Sequence, residues 1–354
     1  MAPGGLFDGV VVLVLFLCSA ALTRVMIGVG IPDLPTARSS HDRPVPKGGG
    51  LAVAVTFGAG VVARYLWDDD PGFGPTAFAA LLLLSVFVLA FAFYDDLRTL
   101  PVTGKLACQI VAALLFSLFV AKLEFVTLPG VGTVALGPWG HALTVFWLVA
   151  FMNVFNFMDG INGLAGGGAV VAGVFLGFVA QLSGAPFVYL SSLCLTGAIL
   201  GFLVFNFPAG RIFLGDTGSQ FIAFLLAGLA VIGATAQANK ISIFVVPMLF
   251  FPFLYDVAVT LLRRLGLGRD VFAAHREHHY QLLNRLGVSQ RGVSGLYVVL
   301  GLLHGVAAMT LQFADPPTRI FWFVAAAPVY ALFTIVLYRA SSRAGHSEDR
   351  SPPA

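Results

Sequence analysis

Four short stretches gather side chains suited to phosphate and divalent-cation chemistry: Tyr94-Asp95-Asp96-Leu97, Asn153 to Gly160, Arg211 to Asp216, and His275 to Tyr280. Asp95 and Asp96 end a long apolar run, and adjacent carboxylates at a helix C-terminus oppose one another and the helix dipole by up to ~1 kcal/mol each. A bound Mg²⁺, which takes oxygen ligands from one or two carboxylates plus substrate phosphates, would offset that; the competing explanation is a solvated acidic end paired with Arg98. Asn153 and Asn156 are spaced i, i+3, with Asp159 three further on, so one helix face carries a polar stripe. Leaving the Asp159 carboxylate idle among Phe155, Phe157 and Met158 would be costly. Gly160, Gly163, Gly166, Gly167 and Gly168 follow and would let backbone approach a nucleotide or phosphate, although small residues serve close helix packing equally well. Asp216 precedes Thr217, Gly218 and a new helix. It reads either as an N-cap worth ~1 kcal/mol or, with Arg211 five residues earlier, as part of a phosphate and metal contact.

His275, His278 and His279 with Arg276 suit phosphate contact better than a transition-metal site, against the alternative of a solvated loop. Lys47 with Gly48, Gly49 and Gly50 places a cation and exposed N–H groups at a helix start, a setting for an anion, although membrane-side anchoring also explains a lysine there. His41, His141 and His304 lack such company. Asp68, Asp69 and Asp70 form an acidic run with no partner cluster.

The elements that must hold these groups are membrane helices. Only 10% of the 354 residues are charged and 58% are hydrophobic, against roughly 25% charged in soluble domains, so lipid is the main solvent. Eleven segments of about 20 apolar residues are expected to span a bilayer: 6–27, 48–66, 76–93, 105–121, 141–156, 164–182, 186–205, 218–236, 240–262, 293–313 and 318–338. The first is read as a retained helix and not a cleaved signal, because it has no basic n-region. Of the 20 Lys and Arg residues, all but Arg64, Lys122, Lys240 and Arg319 fall on one side of this arrangement. By the positive-inside rule that side is cytoplasmic, which puts the amino terminus outside in the periplasm and the carboxyl terminus inside. All four chemical stretches then share the cytoplasmic face. The fold class is an all-α polytopic bundle, with one transmembrane domain over 1–340 and a solvated tail over 341–354. Cys18, Cys108 and Cys194 have neither zinc nor disulfide spacing. The small net charge of +3 and the scattered cations exclude nucleic acid as a partner.

The motifs PVPKGGGLAV, FAFYDDLRTLPVTGK, NVFNFMDGINGLAGG, FNFPAGRIFLGDTGS and HREHHYQLLNRLG, in this order, resemble the polyprenyl-phosphate N-acetylhexosamine-1-phosphate transferases. The resemblance covers nearly the whole chain and is closer to the WecA-like branch, which includes O-antigen and lipopolysaccharide initiating enzymes, than to MraY. It implies a bacterial inner-membrane enzyme that joins a UDP-activated N-acetyl sugar to undecaprenyl phosphate and releases UMP, with Mg²⁺ (Mn²⁺ as substitute) as cofactor. It implies Asp95, Asp96, Asp159, Asp216, His278 and His279 as catalytic residues, with Asp95 serving the lipid phosphate and Asp96 and Asp216 nearest the metal. Lys47, Lys105, Asn153, Asn156, Gly160, Asn162, Arg211, His275 and Arg276 are implied to bind substrate. Two positions depart from the family pattern: Asn162 stands where many relatives carry a second acid, and Arg211 where many carry lysine. An MraY-like transfer of phospho-N-acetylmuramoyl-pentapeptide is the nearest alternative. A transporter of a phosphorylated metabolite is the main one of another class, and it predicts charges at the membrane midplane, where Asp256 is the chief candidate. A lipid-binding scaffold would not need three acidic sites and a histidine group. A homodimer is compatible with the sequence, which carries no signal for assembly.

Overall fold

A computed structural model describes residues 5–33, 43–128, 132–235, 241–271, 273, 275–315 and 318–345. Ten of its helices are long and apolar enough to cross a membrane: α1 (Gly5–Val29), α2 (Gly49–Trp67), α3 (Pro75–Arg98), α4 (Val102–Phe119), α5 (Trp139–Met158), α6 (Leu164–Ser183), α7 (Pro186–Asn206), α8 (Gly215–Gly233), α12 (Gln290–Phe313) and α13 (Arg319–Arg343). The expected single span over 240–262 is instead two pieces, α9 (Val245–Leu249) and α10 (Phe251–Gly266). Pro252 sits in the first turn of α10 and Phe250 leaves helical geometry at φ −104°, ψ 19°. A proline that can neither donate an N–H nor tolerate a preceding helical turn breaks the run there. Short α11 (His279–Arg285) follows in the loop before α12.

Sequence punctuation sets the helix ends. Pro75 and Pro186 occupy first turns of α3 and α7, where the missing N–H costs nothing. Helix α3 runs five residues beyond the expected limit and stops at Thr99, whose left-handed φ of 48° breaks it before Pro101. At the other end of the chain α13 continues through 341–343, and Ser341 is buried, so these three residues are helix and not the solvated tail expected from 341; residues 346–354 lie outside the described residues, as do Arg38, His41 and Lys240.

Burial grades the helices. The apolar window of α8 is 89% buried, whereas those of α1 and α13 are 17% buried, so α8 is the axis of the bundle and the other two face lipid. Close approach of α2 to α8 depends on Gly50 and Gly218, since a Cβ on either would overlap the other's backbone. Two hairpins decorate opposite ends. The pair β1 (Ile31–Asp33) and β2 (Val45–Lys47) is antiparallel with Ile31 opposite Lys47. The pair β3 (Phe125–Leu128) and β4 (Gly132–Ala135) lies between α4 and α5 at the far end. Neither hairpin was expected from hydropathy.

Candidate active site

Helix ends supply the polar site. The last turn of α3, the first turn of α4, the C-terminus of α5 and the N-terminus of α8 meet at one end of the bundle. The first N–H groups of a helix have no internal partner, and α8 has no side chain of its own at the N-cap. Asp96, from α3, takes that place: Oδ1 accepts from Asp216 N at 3.1 Å, and Oδ2 accepts from Thr217 N at 2.9 Å and Thr217 Oγ1 at 2.6 Å. The positive end of the α8 dipole therefore faces a carboxylate. Asp216 itself is not the cap.

Lysines take the place that the competing explanation gave to Arg98. Lys105 Nζ pairs with Asp95 and lies 3.0 Å from Asp216 Oδ2, and Leu100 N donates to Asp95 Oδ1 at 2.6 Å. Lys47 Nζ lies 3.0 Å from Asp33 and 3.9 Å from Asp96. Arg98 is exposed. Adjacent carboxylates at the end of α3 are thus compensated by protein cations and amides before any metal is considered.

Amides line the next layer. Asn156 Nδ2 donates to Asp216 Oδ1 at 3.0 Å and to Ser219 Oγ at 2.9 Å. Deeper in the bundle Asn153 Nδ2 donates to Gln109 Oε1 at 2.8 Å, and Gln109 donates to Gln220 at 3.0 Å. The polar stripe of α5 accordingly faces α4 and α8.

A cavity of about 270 Å³ opens above this layer, lined by Lys47, Asp96, Asn156, Asp159, Asn162 and Asp216, with Asp33 and Gly160 among its other walls. The Asp159 carboxylate makes no hydrogen bond or ion pair among the described residues. Burial, followed by the charges of Asp216 and Asp96, pushes its pKa up to about 8. Lys47 is affected in the opposite sense: burial lowers its pKa, but the Asp33 bond and the charges of Asp33, Asp96 and Asp216 outweigh that and leave it raised. An unpaired carboxylate beside two others is a place for a cation.

The donor set fits a hard divalent ion. No three His, Cys, Asp or Glu side chains among the described residues already converge as a metal cage, but Mg²⁺ keeps waters and needs only one or two carboxylates alongside substrate phosphates. Asp159 and Asp216 both reach the cavity, and Asp96 retains capacity on Oδ1.

Several expected contributors lie elsewhere. Asp95 is buried beneath Lys105 and does not line the cavity. Arg211 is exposed and is not part of the lining either. The N–H groups of Gly49 and Gly50 donate to the carbonyls of Phe213 and Leu214 at 3.0 and 2.9 Å, so they are spent on holding the PKGGG segment to the loop before α8 and are not offered to an anion. Cβ atoms at Gly166, Gly167 and Gly168 would press on Leu203, Val298 and Phe253, which makes these three packing positions. Gly160 does line the cavity.

The histidine loop forms a separate cluster around Asp256. That carboxylate, fully buried, accepts from Tyr297 Oη at 2.8 Å, His279 N at 2.9 Å, Thr260 Oγ1 at 3.3 Å and Tyr280 N at 3.4 Å, and pairs with His278 Nδ1 at 3.2 Å. His278 and His279 are buried, and burial lowers the His279 pKa. Neither lines the cavity. The connection runs through Tyr280, whose hydroxyl donates to Phe157 O at 3.2 Å beside Asp159, and through the His278 ring stacked on Phe157 at 5.8 Å. His275 and Arg276 are half-buried in the same loop. Asp256 therefore anchors a loop and does not carry cargo at the midplane.

Asp33, Gln109, Thr217, Ser219 and Gln220 were not singled out in the sequence. Gln109 and Gln220 had a signal, since an amide inside an apolar helix is costly; Asp33 had none, because its role depends on the register of β1 with β2.

Comparison with known proteins gives concordant matches. Residues 78–234 match the family model of glycosyl transferase family 4. The chain is similar to the probable undecaprenyl-phosphate N-acetylglucosaminyl 1-phosphate transferase of Bacillus subtilis (strain 168), with 28% identity over 85% of this chain and 83% of that one. It is 30% identical to the decaprenyl-phosphate N-acetylglucosaminephosphotransferase of Mycobacterium tuberculosis (strain CDC 1551 / Oshkosh), over 80% and 77% of the two chains. It is 28% identical to the undecaprenyl-phosphate alpha-N-acetylglucosaminyl 1-phosphate transferase of Escherichia coli (strain K12), over 76% and 73%.

Proposed function

Because the chain belongs to glycosyl transferase family 4 as a multi-pass membrane glycosyl-1-phosphate transferase, we propose that it transfers N-acetylglucosamine 1-phosphate from UDP-N-acetylglucosamine to undecaprenyl phosphate. The observation that carries the reading is the convergence of Asp96, Asp159, Asp216, Asn156 and Lys47 on one cavity at one end of the bundle. An oxygen of the lipid phosphate forms the new bond to the phosphorus bearing the sugar, and the bond from that phosphorus to the bridging oxygen breaks. UMP leaves with the electron pair, and no covalent enzyme intermediate is required.

The chain's own groups act by position and charge. Lys47 brings positive charge to the cavity wall and Lys105 brings it to Asp216 just behind that wall, where the phosphates of the two substrates would gather. Asp95, locked to Lys105 and the Leu100 amide, aims the lysine towards the lipid phosphate. Asn156 fixes Asp216, and Asp96 fixes the start of α8. A Mg²⁺ ion would be held by Asp216 and Asp159 with Oδ1 of Asp96, and when bound it would neutralise charge on the diphosphate. The His278 loop, tied to Asp256, closes the side near Asp159 through Tyr280. We place the cavity on the cytoplasmic face, where UDP-sugars are made and where the Lys and Arg bias points, and assign the product to the initiation of a surface polysaccharide.

The test is UMP release by purified protein with undecaprenyl phosphate and Mg²⁺, across UDP-N-acetylglucosamine, UDP-N-acetylgalactosamine and UDP-N-acetylmuramoyl-pentapeptide. Turnover with the first and loss of it on chelation are expected. Turnover with the pentapeptide donor alone would overturn the proposal.

A further inference from the structure

A second cavity, of about 280 Å³, lies at the same end of the bundle as the catalytic one but against the outer helix α13, lined by Arg263, Glu277, Leu282, Tyr338, Arg339 and Ser341. Four guanidiniums and one carboxylate meet there. Glu277 accepts from Arg263 at 2.8 Å, Arg264 at 3.0 Å and Arg269 at 2.8 Å, and Arg339 adds a further cation to the wall. The carboxylate of Asp270 is exposed on the adjoining loop, whose backbone oxygen takes Arg264 Nη2 at 2.7 Å. Even with Asp270 counted, the four guanidiniums outnumber the acids, and Glu277 is already filled with donors.

The polar atoms here are incompletely used. Ser341 Oγ, on a residue only 2% exposed, has no hydrogen-bond partner among the described residues, and neither does Arg264 Nε. Buried donors are rarely left unmade. Arg263 lies over the Tyr338 ring at 4.7 Å, which orients both. Outside the cavity, Leu262 and Leu265 of α10 and Leu332, Ile335 and Val336 of α13 are exposed, the side a bilayer would cover. A pocket of donors and cations set directly beside an apolar, lipid-facing wall matches a molecule with an anionic head and hydrocarbon chains.

We propose that this cavity is a structural site for the phosphate headgroup of an anionic glycerophospholipid, distinct from the cavity around Asp216. The Arg263 and Arg339 guanidiniums and the Ser341 and Tyr338 hydroxyls hold the phosphate, and the acyl chains run along α10 and α13. The transferase reading is not needed for it.

The test is binding by native mass spectrometry and thermal unfolding of the full chain in mild detergent, titrated with phosphatidylglycerol, phosphatidylcholine or inorganic phosphate. The wild type should retain one phosphatidylglycerol and unfold several degrees higher with it, and should respond to neither of the others. Arg339→Gln and Ser341→Ala, each of which leaves the Glu277 cluster intact, should weaken phosphatidylglycerol binding about tenfold while UMP release in detergent is unchanged. Equal binding by wild type and both variants would overturn the assignment. So would an equal response to phosphatidylcholine, or stabilisation by inorganic phosphate alone, which would make this a free-anion site.

Discussion

Asp159 and Asp256 are both enclosed carboxylates at the end of the bundle that carries the catalytic cavity, yet the protein treats them in opposite ways. Asp256 is fully buried and meets five donors from three helices and a loop, whereas Asp159 faces a cavity with no partner among the described residues and with Asp96 and Asp216 as neighbours. A satisfied acid stabilises structure. An unsatisfied one holds its proton to an unusually high pH and ionises only at a cost that a bound cation would offset, so the contrast separates scaffold from site without reference to any relative.

The strongest challenge to this contrast is Asp256→Ala, which strips the acceptor from five buried donors. A loss of ~3–5 kcal/mol is expected, seen as a large drop in the unfolding midpoint in detergent, and a wild-type midpoint would mean that Asp256 is not the anchor described. Next comes Asp216→Asn, where the shape is kept and the charge removed. UMP release should fall by about 10² to 10³-fold, as expected for several kcal/mol of charge stabilisation, with the midpoint close to wild type. Asp159→Asn sharpens the comparison through pH. With a folded-state pKa raised from 3.8 to about 8, the ionised form is disfavoured by the fold. Stability without divalent cation is therefore fully present below pH 4 and is lost as pH rises towards 8. The wild type in chelator should melt lower at pH 9 than at pH 6, the difference should shrink on adding Mg²⁺, and Asp159→Asn should show little of it. The smallest effect belongs to Arg211→Gln. An exposed side chain off the cavity should change stability by no more than about 0.5 kcal/mol, and UMP release by about twofold at most; a hundredfold loss would restore Arg211 to the site.

Legibility followed the range of the forces involved. Hydropathy located every long helix because burial in lipid is a local property of about 20 residues, and the i, i+3 spacing of Asn153, Asn156 and Asp159 gave the facing of α5. What stayed hidden depended on partners distant in sequence. That Asp96 caps α8 requires two segments 120 residues apart to meet, and no spacing rule announces it. Glycines were ambiguous for the same reason: Gly160 and Gly166 look alike in sequence, and only their neighbours show that one borders the cavity and the other a Leu203 side chain. The break between α9 and α10 went unread: Pro252 marks it, but apolarity runs on through it and made 240–262 look like one span.

The bond between Asp96 and the start of α8 has a practical consequence for genetics. One side chain both borders the reaction vessel and fastens the third helix to the most enclosed helix of the bundle, so inactivity after replacing it conflates two failures. Only a variant such as Asp216→Asn, which spares the Asp96 clasp, reports on chemistry alone; lesions at Asp96 are better scored first by how much intact protein reaches the membrane.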